Sequence, residues 1–187
     1  MEVTMTSQDL STSGLARGVA IRVLIGTALT AVLVVVLIGP QNLGFVAQMG
    51  SNSHLHAPRW ELLAQASLAI KIHLATVLAA LTLATIQMIG PKGRTLHRVL
   101  GWTLAVLLVT TSIAAMFIRN PQGGLFNPFQ IFVVTTLITV PLGIWAARRH
   151  NVRRHAGMMS GLYFGALIIA GSLAFMPGRL MWRMFFG

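Results

Sequence analysis

Cysteine is absent from the 187-residue chain, and acidic residues are almost absent. Without cysteine there can be no disulfide, no thiol chemistry and no zinc or iron–sulfur centre held by thiolates. Only Glu2, Asp9 and Glu61 carry a carboxylate, which argues against sites for hard metal ions and against a carboxylate proton relay. The sequence also lacks a phosphate-binding P-loop, a nucleophile elbow and an HExxH motif, so no motif decides whether the protein is an enzyme.

Charge of either sign is scarce. Charged residues make up 9% of the chain and hydrophobic residues 55%, whereas a soluble domain carries about 25% charged residues to coat its surface. The composition therefore predicts a surface that faces lipid. The formal net charge is +11. Because the basic residues cluster at the ends of apolar runs, we expect membrane lipids with anionic headgroups as partners and no nucleic acid.

Five apolar runs are each close to the ~20 residues that a helix needs to cross a bilayer. A backbone in lipid must satisfy its own hydrogen bonds, which favours helices. We predict an all-α membrane protein with five transmembrane helices, a four-helix core and one N-terminal peripheral helix. Residues 1–16 are predicted to form a cytoplasmic tail, and 17–187 a single transmembrane domain. The predicted spans are 19–38, 72–89, 99–118, 129–147 and 156–176, with an interfacial helical turn at 60–70.

The basic residues also predict an orientation, because short cytoplasmic loops are enriched in lysine and arginine. Nine of the fourteen fall on one side of the predicted bundle, together with the N-terminus, and five on the other. The N-terminus is therefore predicted to be cytoplasmic and the C-terminus to lie outside. The nine are Arg17, Arg22, Lys92, Arg94, Arg98, Arg148, Arg149, Arg153 and Arg154, and the five are Arg59, Lys71, Arg119, Arg179 and Arg183.

Small and hydroxyl residues offer packing surfaces within the spans. Gly157, Gly161 and Gly165 recur at every fourth residue and form one stripe, which lets another helix approach closely. We favour a helix contact within the chain; a subunit interface or a flat cofactor are the alternatives. Hydroxyl groups on the third and fourth spans could bond across helices, although such groups more often bond the carbonyl one turn back. They belong to Thr110, Thr111, Ser112, Thr135, Thr136 and Thr139.

All six histidines lie at or near a predicted membrane boundary. His73 is separated from the far end of its span by roughly 25 Å of helix at 1.5 Å per residue. It therefore cannot share an ion with His97, and any histidine sites must be two, one in each leaflet. On the outer side His73 could pair with His54 or His56, and its position within a span is the more telling feature, because ionisable groups there are usually functional.

His97 opens the third span and His155 opens the fifth, each close to a glycine. Two imidazoles from different helices beside small residues are what ligation of haem b requires, since the flat porphyrin must approach the backbone closely and arginines can pair its propionates. We therefore predict a haem b or quinone-linked electron-transfer protein in which iron is ligated by His97 and His155, and by His73 on the outer side. Propionate or phosphate would be held by Arg94, Arg98, Arg153 and Arg154.

Other interpretations of the same residues stay open. Histidine and arginine at a helix start can simply anchor the helix to lipid phosphate, or the arginine cluster can bind a quinone, a lipid or another anion. The His54-Leu55-His56 pattern is a weak metal motif. A non-catalytic accessory subunit of a larger membrane complex would also explain the glycine stripe. A transporter would need broken helices or buried charge at the midplane, of which Pro141 is the one sign.

Two short motifs support a resemblance. His97-Arg98-Val99-Leu100-Gly101 gives an HRxxG pattern, and Arg153-Arg154-His155-Ala156-Gly157-Met158 gives an RxHxxM pattern, with a later arginine at Arg179. Over about residues 65–180 the chain resembles an uncharacterised family of bacterial multi-pass membrane proteins known only as a domain of unknown function. The resemblance implies the bacterial inner membrane and selects His73 as a further helix-borne histidine. More distantly, the layout is similar to transmembrane di-haem cytochromes b, which carry paired histidines in both leaflets.

Overall fold

A computed structural model describes residues 44, 47–48, 51, 53–118 and 129–186. The stretch Phe45–Gly187 is one compact unit, separate from Met1–Gly44, and the fold given below is that of the Phe45–Gly187 unit. The predicted tail at 1–16 and the predicted first span at 19–38 lie outside the described residues.

The described elements are helical throughout. Four stretches are long and apolar enough to cross a membrane, so four of the five predicted spans are confirmed as helices. Three of them begin four residues earlier than the sequence predicted. The elements are α1 (Trp60–Ala64), α2 (Leu68–Ile89), α3 (Thr95–Met116), α4 (Gln130–Arg148), α5 (Val152–Leu162), a π-helical segment (Tyr163–Ile169), α6 (Ala170–Leu173) and α7 (Leu180–Phe185).

Polar residues before the apolar runs explain the early helix starts. The Ser67 hydroxyl accepts a hydrogen bond from the Ile70 amide at the start of α2, and the Asn151 side chain accepts one from the Arg154 amide at the start of α5. Both are N-caps, which satisfy backbone donors that a helix leaves unpaired. The Asn151 cap places His155 inside the first turn of α5. His97 lies inside the first turn of α3, where Arg94 at the N-cap position makes no capping side-chain hydrogen bond.

The predicted interfacial turn at 60–70 is divided between two helices. α1 ends at Ala64, and α2 begins at Leu68. Lys71 joins them, because its ammonium group donates to the Ala64 carbonyl at 2.6 Å. The C-terminal helix α7 packs here too: the Arg59 guanidinium donates to the Arg183 carbonyl at 2.7 Å, and the His56 amide donates to the Phe185 carbonyl. Carbonyls at the end of α7 are thereby satisfied from outside the helix.

The four long elements form a ring of helices. Consecutive helices pack side by side, and the π-helical segment returns to contact α2. α3 and α5 therefore lie diagonally. Large apolar side chains such as Val106 and Ile113 remain exposed, as expected where lipid is the solvent. The shared core is built mainly from small and medium side chains: Ala80, Ala84, Ala105, Leu108, Val140, Leu162 and Leu167.

The glycine stripe does not pack within the described part of the chain. A Cβ atom built on Gly157, Gly161 or Gly165 meets no described atom within 4 Å. The favoured interpretation, a helix contact within the chain, stays a prediction, because the predicted first span lies outside the described residues. The close approach occurs instead at buried Gly143 of α4, where an added Cβ would fall on the methyl group of Met159 on α5.

Replacing Gly143 with leucine should destabilise the protein, because the new side chain meets Met159 and overpacking costs about 1–3 kcal/mol. Gly161→Leu is the matched control, since its side chain enters open space and should change the unfolding free energy by about 0.5 kcal/mol or less. Unfolding by SDS titration of the detergent-purified protein measures both. Equal destabilisation by the two changes would contradict the packing described here.

Candidate functional site

His97 of α3 and His155 of α5 meet across the interior of the helix ring. Their ring centroids are 6.4 Å apart, and the ring planes are nearly perpendicular, at 87°. Both side chains are partly buried. This end of the bundle also carries six of the nine arginines that the structure describes and is called the arginine end here: Arg94, Arg98, Arg148, Arg149, Arg153 and Arg154.

His155 is fixed by α4. Its Nδ1 lies 2.9 Å from the carbonyl oxygen of Gly143. A carbonyl oxygen can only accept, so Nδ1 carries the proton and Nε2 keeps its lone pair. Histidines that bind metals almost always donate their second ring nitrogen in this way, which sets the tautomer and the ring orientation. Gly143 therefore leaves room for the Met159 side chain, and its carbonyl oxygen orients the His155 ring.

His97 is positioned through its backbone. The side-chain amide of Gln87, near the end of α2, donates to the His97 carbonyl at 3.3 Å. Gln87 also lies beside Gly101, one turn further along α3, where an added Cβ would be 3.4 Å from its amide nitrogen. α2, α4 and α5 thus all contribute to the surroundings of the pair.

The 6.4 Å between the ring centroids can be compared with the spacing of two imidazoles that bind one iron ion. Imidazole nitrogens bind such a metal at about 2 Å, which places two rings on opposite sides of the ion with centroids about 6 Å apart. No group of three or more metal-binding side chains occurs among the residues that the structure describes. Two imidazoles alone do not complete a tetrahedral zinc site, whereas a porphyrin would supply the four remaining ligands of a haem iron.

The arginine side chains surround this end without entering it. All four that the sequence selected, Arg94, Arg98, Arg153 and Arg154, are exposed. Sequence reasoning missed the tryptophans that face them. Arg149 and Arg154 lie over the Trp145 ring at 4.2 and 5.7 Å, and Arg148 lies 5.7 Å from the Trp102 ring. Tryptophan is typical of a membrane interface. The positions of Trp102 near the start of α3 and Trp145 near the end of α4 were therefore a signal that the sequence already contained.

His73 lies at the opposite end of the bundle, where α2 begins. Its Nδ1 is 3.0 Å from the Thr111 carbonyl on α3, so Nε2 again keeps its lone pair. The Thr111 hydroxyl donates to Thr76 at 2.6 Å, and the Thr76 hydroxyl donates to the Ile72 carbonyl. Hydroxyls therefore act both across helices and within one, as the two sequence-based alternatives allowed. His54 is exposed in the preceding loop, and His56 lies beside α7.

A cavity of about 210 Å³ lies between the helices at this opposite end. Its walls include Ala166 and Leu167 of the π-helical segment, a type of helix distortion that is frequent at functional sites. Arg179 lies 3.9 Å above the Phe129 ring centroid, and burial lowers the pKa of its guanidinium below the ordinary arginine value. The polar groups on the walls belong to His73, Thr111, Ser112, Gln130, Thr136 and Arg179.

Four apolar helices with a polar site towards each end define a multi-pass helical membrane protein. Residues 70–185 match the family of predicted membrane proteins known as DUF2306. The match covers more than half of the chain, which therefore belongs to that family, and the expected membership of an uncharacterised membrane protein family is confirmed. No curated protein and no solved structure matches the chain. The likeness to di-haem cytochromes b stays a prediction.

The hydrogen bond between Thr111 and Thr76 should contribute to stability. Thr111→Val keeps the shape of the side chain and removes the hydroxyl, so we expect a loss of about 0.6 kcal/mol, typical of hydrogen bonds between membrane helices. Thr135→Val is the control, because Thr135 is exposed and bonds only carbonyls of its own helix. SDS unfolding that ranks Thr135→Val as the more damaging change would contradict this assignment.

Proposed function

We propose that the protein is an electron-transfer protein of the bacterial inner membrane that holds haem b between His97 and His155. The observation that carries the proposal is the approach of the two rings, 6.4 Å apart and nearly perpendicular. Nδ1 of His155 donates a hydrogen bond to the Gly143 carbonyl.

The haem, when bound, would supply a one-electron iron couple. The chain's own residues would hold and orient it. Gly143 directs Nε2 of His155 through the bond to Nδ1, and Gln87 tethers the backbone of His97. With the iron held by both His97 and His155, no coordination position would remain for a substrate, which would favour electron transfer over binding of a substrate to the metal.

The arginines would pair with the two propionates. Arg94 and Arg98 lie within one turn of His97, and Arg153 and Arg154 directly precede His155. Their guanidinium groups can form paired hydrogen bonds with a carboxylate. Because the described chain offers only Glu61 as an acidic side chain, these arginines have few competing partners in the protein. The same excess of arginine supports a cytoplasmic location for this end, with the N-terminus cytoplasmic and the C-terminus periplasmic.

Removal of either ligand tests the haem proposal. His97→Ala and His155→Ala should each reduce bound haem to near zero, measured as haem per protein chain by the pyridine haemochrome method and as a reduced-minus-oxidised visible spectrum. The control is His150→Asn, since His150 is exposed in the same turn and has a φ of 56°, which asparagine tolerates. A haem content that survives both alanine substitutions would overturn the assignment.

A second candidate function is that of an accessory subunit in a larger membrane complex. The observation that favours it is the glycine stripe, which offers a smooth surface with no described neighbour. Small residues of this kind let a helix of another chain approach closely. Stoichiometric co-purification of a partner that is lost with Gly161→Leu, from a protein without a visible chromophore, would support this function over electron transfer.

A further inference from the structure

The cavity at the Arg179 end contains two groups that the haem proposal leaves unused, His73 and Arg179. The cavity is separate from the pair formed by His97 and His155. Thr111, which bonds His73, follows His97 on the same helix by fourteen residues, or about 21 Å at 1.5 Å per residue. At about 210 Å³ the cavity is below the roughly 300–1,000 Å³ of pockets for drug-sized ligands. It suits one substituted ring and is too small for a porphyrin.

His73 supplies a hydrogen-bond acceptor. Its Nδ1–H is committed to the Thr111 carbonyl, so neutral His73 has only the Nε2 lone pair to offer. Two of the three hydroxyls that line the cavity are committed as donors as well. Thr111 donates to Thr76, and Thr136 donates to the Phe132 carbonyl at 2.7 Å. A ligand that bonds His73 must therefore bring a hydrogen-bond donor.

Arg179 supplies the opposite chemistry. Its guanidinium has donors only and remains charged. It lies over the face of Phe129, a position in which an arginine keeps its in-plane N–H groups for other partners. None of the residues that line the cavity is acidic. A ligand beside Arg179 must therefore bring an acceptor oxygen.

Apart from Ser112 and Gln130, the other lining residues are apolar, and two of them are aromatic, Phe129 and Phe132. A flat apolar ring that carries a donor and an acceptor oxygen matches His73, Arg179 and these apolar walls. A small carboxylate would pair with Arg179 but would place a second acceptor against the lone pair of His73. A ring with two carbonyl oxygens would likewise place an acceptor against the lone pair of His73.

We propose that this cavity binds a hydroquinone ring, with one hydroxyl donating to Nε2 of His73 and another ring oxygen accepting from Arg179. Such rings are the reduced heads of membrane quinones, whose apolar tails remain in lipid. The proposal goes beyond the haem assignment and does not depend on bound haem. It concerns binding alone, and it requires the reduced ring to bind more tightly than the oxidised ring.

Equilibrium dialysis of the detergent-purified full chain against decylhydroquinone, kept reduced under argon, tests the proposal. Arg179→Gln should weaken binding about tenfold or more, because a hydrogen bond from a charged group is lost. Arg183→Gln, an exposed arginine on the adjoining helix, should leave binding unchanged. Gly171→Leu should abolish binding while the protein still melts cooperatively, because Gly171 lines the cavity and an added Cβ there meets nothing within 4 Å.

Three results would overturn the proposal: no binding by the unaltered protein, equal affinities in the two arginine variants, or decylquinone binding as tightly as its reduced form. Competition by benzoate at equal concentration would assign the cavity to anions instead. Haem content measured on the same samples separates the two proposals. His97→Ala should lose haem yet retain hydroquinone binding, so failure of either proposal leaves the other to be judged by its own measurement.

Discussion

The requirement that every polar group find a partner inside an apolar solvent governs this structure. Lipid offers no hydrogen bonds, so the backbone forms helices and the side chains bond to what the helices leave accessible. Thr82, Thr85, Thr103 and Ser172 each donate to the carbonyl four residues earlier. Among the described side chains that are not exposed, no buried nitrogen or oxygen lacks a partner. These polar side chains therefore stabilise the fold through the hydrogen bonds that they form within it.

The same requirement gives the histidines their orientation. His73 and His155 both donate Nδ1–H to a carbonyl of a neighbouring helix, a bond that joins two helices. In the neutral ring the lone pair of Nε2 is not used by this bond. Because the two bonds lie towards opposite ends of the bundle, the molecule has two separate polar sites joined by an apolar middle.

The scarcity of carboxylates shapes how the cations are held. With Glu61 as the only acid in the described residues, arginines at both ends lie over aromatic rings, as Arg149 does over Trp145 and Arg179 over Phe129. A ring face attracts a guanidinium without neutralising it. The arginines consequently keep their charge and their donors for ligands, which an ion pair within the protein would have consumed.

The sequence by itself determined the four described spans and the ends at which the histidines lie. Hydrophobicity is a local property, so the apolar runs and their Gly-Pro and arginine boundaries could be located without tertiary information. The helices α2, α3 and α5 begin four residues earlier than predicted, and for α2 and α5 the caps are supplied by Ser67 and Asn151. Alternation of direction along the chain then placed His97 and His155 at one end.

Tertiary structure alone decided which side of each helix faces its neighbours. Spans that are apolar on nearly every side carry no stripe to mark an inner face. For this reason the contact at Gly143 and the meeting of His73 and Arg179 at one cavity could not be read from the pattern. They depend on helix rotation, which is set by close packing and by a few hydrogen bonds between helices.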